Sequence, residues 1–261
     1  MIKAAFFDVD GTLVSHKTRS VPQSARQAIA KLQSAGIQCI VATGRHIREL
    51  KKLPAGDIPF DAYITLNGQL ILDEKLQRLY GIPVTGPAKD ILLRMFTNRE
   101  LPALIVEEEE NYVNYVDARV EEVHREISTP LPRVAPYSGE DIYQVCVYLT
   151  KENEEPLEEL EGLCVMARWG FGGLDIIARG GGKMTGIQWY LERCGIDPAE
   201  TIAFGDAEND IDMLRLAGIG VAMGNAGEAV KQAADYVTTD IDDDGIANAL
   251  KHFGLIETPK A

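Results

Sequence analysis

The sequence is poor in cations. Its 26 Lys and Arg stand against 40 Asp and Glu, a formal net charge of −14 at pH 7. Nucleic acid is held chiefly by Lys and Arg on its phosphates, and anionic membrane surfaces attract the same residues. Neither partner suits this chain, and any anion it binds needs local cations or a metal. Cysteine is also scarce: Cys39, Cys146, Cys164 and Cys194 include no CxxC pair, and the first three fall in apolar runs. A zinc site or disulfide framework is therefore not expected; four reduced core thiols in a cytoplasmic protein are. Long apolar runs are missing. The longest stretch without charge, Leu32 to Gly44, is broken by Gln33, Ser34, Gln38 and Thr43, whereas a membrane helix needs about 20 mostly apolar residues. Asp8 stands so near the start that no secretory leader is expected ahead of it. Global disorder is excluded, because 46% hydrophobic residues supply enough apolar surface to offset chain entropy. A length of 261 residues allows one large domain or two smaller ones.

What is present is an alternation of strand and helix patterns. Ala4 to Val9 is a short apolar run ending in acids. Ala25, Ala28, Ile29, Leu32 and Ala35 then recur at helical spacing, with Pro22 suited to the first turn and Gly36 to the stop. Ile37 to Ala42 is apolar except for Gln38 and does not alternate, as in strands covered on both faces of a parallel sheet. Tyr63 to Leu66 ends at Asn67-Gly68, a hairpin turn signal, and Gln69 to Leu72 follows. Towards the end, Ile187, Tyr190, Leu191 and Cys194 mark one helix face. Strands are expected at Thr201 to Phe204, Ile219 to Ala222 and Tyr236 to Thr238, with helices at Ile211 to Leu216, Gly227 to Ala234 and Ile246 to Phe253. The pattern implies the α/β class, a doubly wound parallel-sheet, Rossmann-like core.

The middle differs. Its strand candidates, Ala103 to Glu107, Tyr112 to Val116, Gln144 to Leu149 and Leu163 to Arg168, look longer and more alternating. Two helix candidates, Lys89 to Asn98 and Arg119 to Ile127, lie among them. This suggests an inserted α+β domain. Pro83, Gly86 and Pro87 mark one junction and Gly180, Gly181 and Gly182 the other. Residues 1–82 with 181–261 would form the core and 83–180 the insertion, joined by two passages that could hinge. The acidic clusters Glu107 to Glu110 and Glu152 to Glu161 are expected on solvated faces.

Four segments carry chemistry. Asp8-Val9-Asp10-Gly11-Thr12 ends the first strand, where ligands of open α/β sheets bind. Two carboxylates so close repel unless a cation holds them, and Mg2+ is the fitting hard ion. Thr43-Gly44-Arg45 ends the next buried strand; a hydroxyl and free amides there suit a phosphate, although Thr43 alone could simply cap a helix. Lys183 follows three glycines but fails as a P-loop lysine, because Met184 stands where Ser or Thr is required. A cation at a helix start opposes the helix dipole unless an anion intervenes. Gly205-Asp206-Ala207-Glu208-Asn209-Asp210 is a second strand-end acidic turn. Taken together, a metal site, an anion cradle and a lysine handle a phosphoryl group. No nucleotide-binding loop is present, so the substrate itself is expected to be the phosphoryl donor.

These motifs, in this order and across nearly the whole chain, resemble the four motifs of the haloacid dehalogenase-like phosphatases. The insertion between the second and third motifs resembles the Cof-type subfamily with its type IIB cap. So do Asn67-Gly68, the run Ile219 to Ala226, and Ala234 to Thr238 followed by Asp244-Gly245-Ile246. Within it the chain is most similar to bacterial hexose-phosphate phosphatases. The resemblance implies Asp8 as nucleophile through an aspartyl-phosphate, and Asp10 as acid and base. It implies Mg2+ held by Asp8, the Asp10 backbone carbonyl and Asp206, with Asp210 and Asn209 alongside. Gly11, Thr12, Thr43, Gly44, Asn67 and Lys183 would serve the phosphate, and Arg45 would reach the leaving group or the cap. Arg168, Trp169 and Asp175, with Gly170 and Phe171, are the candidates for sugar recognition, although Trp169 and Phe171 could equally be packing residues. His16 and His46 receive no role. The expected partner is a small-molecule phosphate ester, acted on by a cytoplasmic monomer that binds neither nucleic acid nor membrane. A phosphosugar mutase and a non-catalytic sugar-phosphate sensor are the alternatives.

Overall fold

The computed structural model describes residues 1–126, 129–169 and 172–257. The chain divides into two units, Met1–Tyr80 with Lys183–Ala261, and Gly81–Gly182. In chain order the first stretch holds β1 (Ala4–Phe7), α1 (Gln23–Ser34), β2 (Gln38–Ala42), α2 (Ile47–Leu50), β3 (Ala62–Thr65), β4 (Leu70–Asp73) and β5 (Arg78–Gly81). The middle holds α3 (Gly86–Asn98), β6 (Ala103–Val106), β7 (Asn111–Val113), α4 (Ala118–Glu126), β8 (Gln144–Val147), β9 (Cys164–Trp169) and β10 (Gly173–Ala178). The last stretch holds α5 (Lys183–Cys194), β11 (Thr201–Gly205), α6 (Ile211–Leu216), β12 (Ile219–Ala222), α7 (Glu228–Ala233), β13 (Tyr236–Val237) and α8 (Gly245–His252).

The first unit is built on one sheet in the order β13-β12-β11-β1-β2-β3-β4-β5. From β13 to β3 every pair is parallel, and β3 turns back antiparallel into β4. The apolar runs explain this. β1 and β11 are buried at every position, so both faces need cover, and helices supply it. On one face α5 brings Ile187, Tyr190 and Leu191 against Phe6, Ile40, Ile64 and Ala203. Elsewhere α1 buries Ala25, Ala28, Ile29 and Leu32, and it packs on α8. The rings of Phe7 and Phe204 stack 5.2 Å apart between β1 and β11. The turn after β3 places Leu66 and Asn67 in the left-handed region before β4 begins. Strand β5 gave no signal in the sequence.

The second unit is a five-stranded sheet, β7-β6-β8-β10-β9, antiparallel throughout. Its core joins α3, through Leu92, Met95 and Phe96, to Ile105, Val145, Val147 and Ile176. Several expectations need correction. The alternation is absent, since β6 is buried at all four positions. Only part of the second sheet has the expected length, since β9 and β10 span six residues each but β7 spans three and β8 four. β10 was not expected, yet it sits between β8 and β9. Glu107 is buried rather than solvated, because Tyr112 Oη donates to it at 2.5 Å and Ser138 Oγ donates as well. Cys194 is exposed at the end of α5, and Cys146 and Cys164 are half-buried, so Cys39 alone is a fully buried thiol. The expected helix end at Ile127, and Gly170 and Phe171, lie outside the described residues. Among the described residues no helix is long and apolar enough to cross a membrane.

Candidate active site

The site grows from the carboxyl ends of three neighbouring strands. On one side of β1 lie β2 and β3, and on the other β11, β12 and β13. Strand order therefore reverses at β1, and ligands of open α/β sheets bind beyond the strand ends at such a reversal. Asp8 follows β1, Thr43 follows β2 and Asp206 follows β11.

After Asp8 the chain turns tightly. Leu13 and Val14 donate their amides to Val9 O at 3.0 and 2.7 Å, and Gly11 donates to Val14 O at 2.9 Å. Gly11 has φ +84°, and a Cβ there would collide with the Asp206 carboxylate. Only glycine meets both demands. Next to it, Thr12 Oγ1 donates to Asp206 Oδ1 at 2.8 Å. Lys183 opens α5 and is 3% exposed. Its ammonium donates to Asp8 Oδ1 at 2.5 Å and Asp210 Oδ1 at 2.6 Å. Those carboxylates are the anions that make a lysine tolerable at a helix start. The second oxygen of Asp210 accepts from the amides of Asp206 and Ala207, both at 3.0 Å. Asp210 thus ties the lysine to the turn that carries Asp206.

Asp8, Asp206 and Asp210 bring carboxylate oxygens within 4.8 Å of one another. Three carboxylates there face one ammonium. Burial and then the charge of Asp210 push Asp8 well above the usual carboxylate range, while Lys183 pulls it down. Burial pushes Asp206 up to about 7, with the Thr12 bond opposing and Asp210 adding. Burial works against the charge on Lys183, but Asp210 and Asp8 outweigh it and raise its pKa. The group is short of positive charge and offers only oxygen ligands, a set that fits a hard divalent cation.

A second half of the site is assembled around Thr43. Its amide is used by Ile64 O at 2.9 Å, and its Oγ1 accepts from the Arg45 amide at 3.1 Å, which leaves the hydroxyl proton to donate elsewhere. Asn67 donates its amide to Thr43 O at 3.0 Å and packs against Gly44. Asn209 Nδ2 donates to Asn67 Oδ1 at 3.2 Å. Arg45 holds both oxygens of Asp10, through Nε at 2.6 Å and Nη2 at 2.8 Å. Burial opposes the Arg45 charge, but Asp10 outweighs it and raises the pKa. This fork between Arg45 and Asp10 was not foreseen. His46 accepts from the Arg48 amide and caps α2.

Residues 5–250 match the model of the haloacid dehalogenase-like hydrolase family. The chain belongs to that family. The hydrolase is 33% identical over 258 residues to "Putative phosphatase YkrA" of Bacillus subtilis (strain 168), covering 98% of this chain and 99% of that one. Among solved structures it is similar to BT1666 of Bacteroides thetaiotaomicron, described among phosphatases of the same superfamily. That match has TM-score 0.89 and 33% identity, over 98% of this chain and 96% of the other. It is likewise similar to the subclass IIB sugar phosphatase BT4131, with TM-score 0.86 and 35% identity over 97% and 100% of the two chains. The hydrolase is thus a phosphatase of the Cof type.

Twelve of the expected site residues, Asp8, Asp10, Gly11, Thr12, Thr43, Gly44, Arg45, Asn67, Lys183, Asp206, Asn209 and Asp210, belong to the constellation just described. Arg168, Trp169 and Asp175 belong to the other unit, on β9 and β10. The Arg168 guanidinium is taken up by Glu154 and by the carbonyls of Leu149 and Gly173. One residue was passed over. Asn225 Nδ2 donates to Gly11 O at 2.8 Å. Its only sequence signal was its place in the run Ile219 to Ala226.

Proposed function

We propose that this phosphatase hydrolyses small phosphate monoesters, hexose phosphates foremost, with Mg2+ and through a phosphoryl group carried on Asp8. The observation that supports this best is the Lys183 ammonium between Asp8 and Asp210, with Asp206 beside them, at the strand-order reversal. Phosphoryl transfer asks the protein mainly for positioning and for positive charge on the equatorial oxygens.

In the first step an Asp8 oxygen bonds to phosphorus and the bond from phosphorus to the ester oxygen breaks. Asp10 gives the leaving oxygen its proton. In the second step water bonds to phosphorus, Asp10 takes a proton from that water, and the Asp8–phosphorus bond breaks. Inorganic phosphate and the free alcohol are the products. Both Asp10 oxygens accept from Arg45 in the resting geometry, so one of those bonds opens when Asp10 carries the proton. Lys183, Thr43 and the Gly44 amide bind the phosphoryl oxygens, Asn67 and Asn209 flank them, and Gly11 and Thr12 hold the loop. Asp8, Asp206 and Asp210, with the Asp10 backbone carbonyl and Asn209 nearby, would hold Mg2+. When bound, the ion supplies positive charge to the phosphoryl group.

The unit Gly81–Gly182 serves as the cap that reads the alcohol, with Arg168, Trp169 and Asp175 as its candidates for sugar recognition. The likeness to the sugar phosphatase BT4131 supports a sugar phosphate, and the protein works as a cytoplasmic monomer. The test is phosphate release, with and without Mg2+, from hexose, pentose and polyol phosphates, nucleotides, pyridoxal phosphate and an aryl phosphate. Mg2+-dependent release that vanishes in Asp8→Asn is the expected result, with hexose phosphates ranked first. Isomerised sugar phosphate without free phosphate would show a mutase instead. A ranking led by another ester would overturn the substrate.

A further inference from the structure

Asn225 lies in the turn after β12, in a segment that the mechanism above leaves unused. The turn is fixed from both sides: Met223 donates its amide to Gly205 O and Gly224 donates to Thr239 O, both at 3.0 Å. Asn225 itself is exposed, a setting in which most asparagines spend their amides on water. This one spends both ends on backbone. Nδ2 donates to Gly11 O at 2.8 Å, and Oδ1 accepts from the Ile241 amide at 3.1 Å. The two bonds fix the orientation of the amide, because a flipped group would set acceptor against acceptor and donor against donor.

The carbonyl it holds is a particular one. Gly11 stands between Asp10 and Thr12, is locked at φ +84° and packs on the Asp206 carboxylate, which Thr12 also contacts. Asn225 and Asp206 therefore both hold the loop of the two N-terminal aspartates, one through the Gly11 carbonyl and the other through Thr12. We propose that Asn225 is a positioning residue: it sets the height of the 8–12 loop over the sheet end, and so the spacing of Asp8 from Asp206. The proposal rests on the reading of that loop as catalytic. Groups that orient a metal's ligands without touching the metal commonly cost about 10- to 100-fold in metal affinity or activity when removed, and an error of about 1 Å in a catalytic group costs as much.

The experiment compares the full-length wild type with Asn225→Ala and Asn225→Asp. Alanine removes both bonds. Aspartate keeps an acceptor for Ile241 but turns a carboxylate oxygen toward Gly11 O. Asn248→Ala is the control, because Asn248 bonds Thr239 Oγ1 and Asp243 O in the same neighbouring loop without reaching residue 11. kcat and KM are measured on an aryl phosphate. Binding of Mn2+ alone is followed by electron paramagnetic resonance, and unfolding by circular dichroism. Both Asn225 variants should lose about tenfold or more in kcat with KM within about threefold, and Asn225→Ala should bind Mn2+ about tenfold more weakly. Asn248→Ala should match wild type in both. Values of kcat and Mn2+ affinity within twofold of wild type in both Asn225 variants would overturn the proposal. So would loss of the folded state in both, which would make Asn225 a fold determinant. A wild type that binds Mn2+ but cleaves no ester would sink the phosphatase reading, and the Mn2+ comparison would still decide the role of Asn225.

Discussion

At Gly11 a backbone demand and a chemical demand fall on one residue. The left-handed φ excludes most side chains, and the Asp206 carboxylate occupies the space a Cβ would need. Gly11→Ala should cost roughly 1–2 kcal/mol of stability from backbone strain. It should also displace Asp206 and reduce kcat far more than that stability loss accounts for; kinetics paired with urea unfolding separates the two effects. His124 shows the opposite kind of residue, a titratable group used for packing. Its Nδ1 meets Thr129 Oγ1 at 2.8 Å and its Nε2 meets Tyr148 Oη at 2.9 Å. Burial lowers its pKa below the ordinary 6.5, with a bond to the Pro130 backbone opposing. Below pH 6.5 the unfolded chain therefore takes up the proton before the folded one does, and stability falls as the pH drops. Between pH 7.5 and 5.5 the wild-type urea midpoint should fall further than that of His124→Gln, which can keep both bonds without titrating. Equal shifts would show that His124 is not the group responsible.

Among the elements, those of the first unit were the easiest to read. Their strands are buried on both faces and appear as largely apolar runs, so β1, β2, β11 and β12 stood out within a residue or two. β5 and β10 did not. β5 is a four-residue edge strand with no buried position, and β10 lies between glycine-rich segments, so neither shows an apolar run. The second unit also depends on a buried polar residue that no motif announced. Asn114 Oδ1 accepts from Ala103 N at 2.9 Å, while Nδ2 donates to Phe96 O at 3.0 Å and to Leu101 O at 2.9 Å, fastening β7 to β6 and to the end of α3. Asn114→Leu strands these backbone groups, each worth about 1–3 kcal/mol when left buried and unpaired. The substitution should lower unfolding stability by several kcal/mol, measured by denaturant titration. A loss under about 1 kcal/mol would mean that water replaces the amide.

For the whole molecule, charge is the dominant property. A net charge of −14 makes the folded state repel itself, and monovalent salt should relieve this modestly by screening. Divalent binding at Asp8, Asp206 and Asp210, as proposed, would be a separate, saturable effect. A ligand at a hundredfold excess over its Kd adds about 2.7 kcal/mol, or about 5 °C or more in Tm for a chain of this size. MgCl2 should therefore raise Tm beyond NaCl of equal ionic strength, and the excess should shrink in Asp206→Asn. Identical curves for the two salts would remove Mg2+ from the site. The order of the strand-end motifs, the class of the fold and the chemical types at the site were all determined by the sequence alone. They rest on local demands: apolar runs for buried strands, glycine where the backbone must turn left, and paired acids where a cation is held. The partners were decided by tertiary structure. Lys183 lies 175 positions from Asp8, and the sequence showed neither that its ammonium would bridge Asp8 to Asp210 nor that Arg45 would take Asp10. Such pairings depend on which strand ends the crossovers bring side by side, and that becomes fixed only when the sheet is assembled.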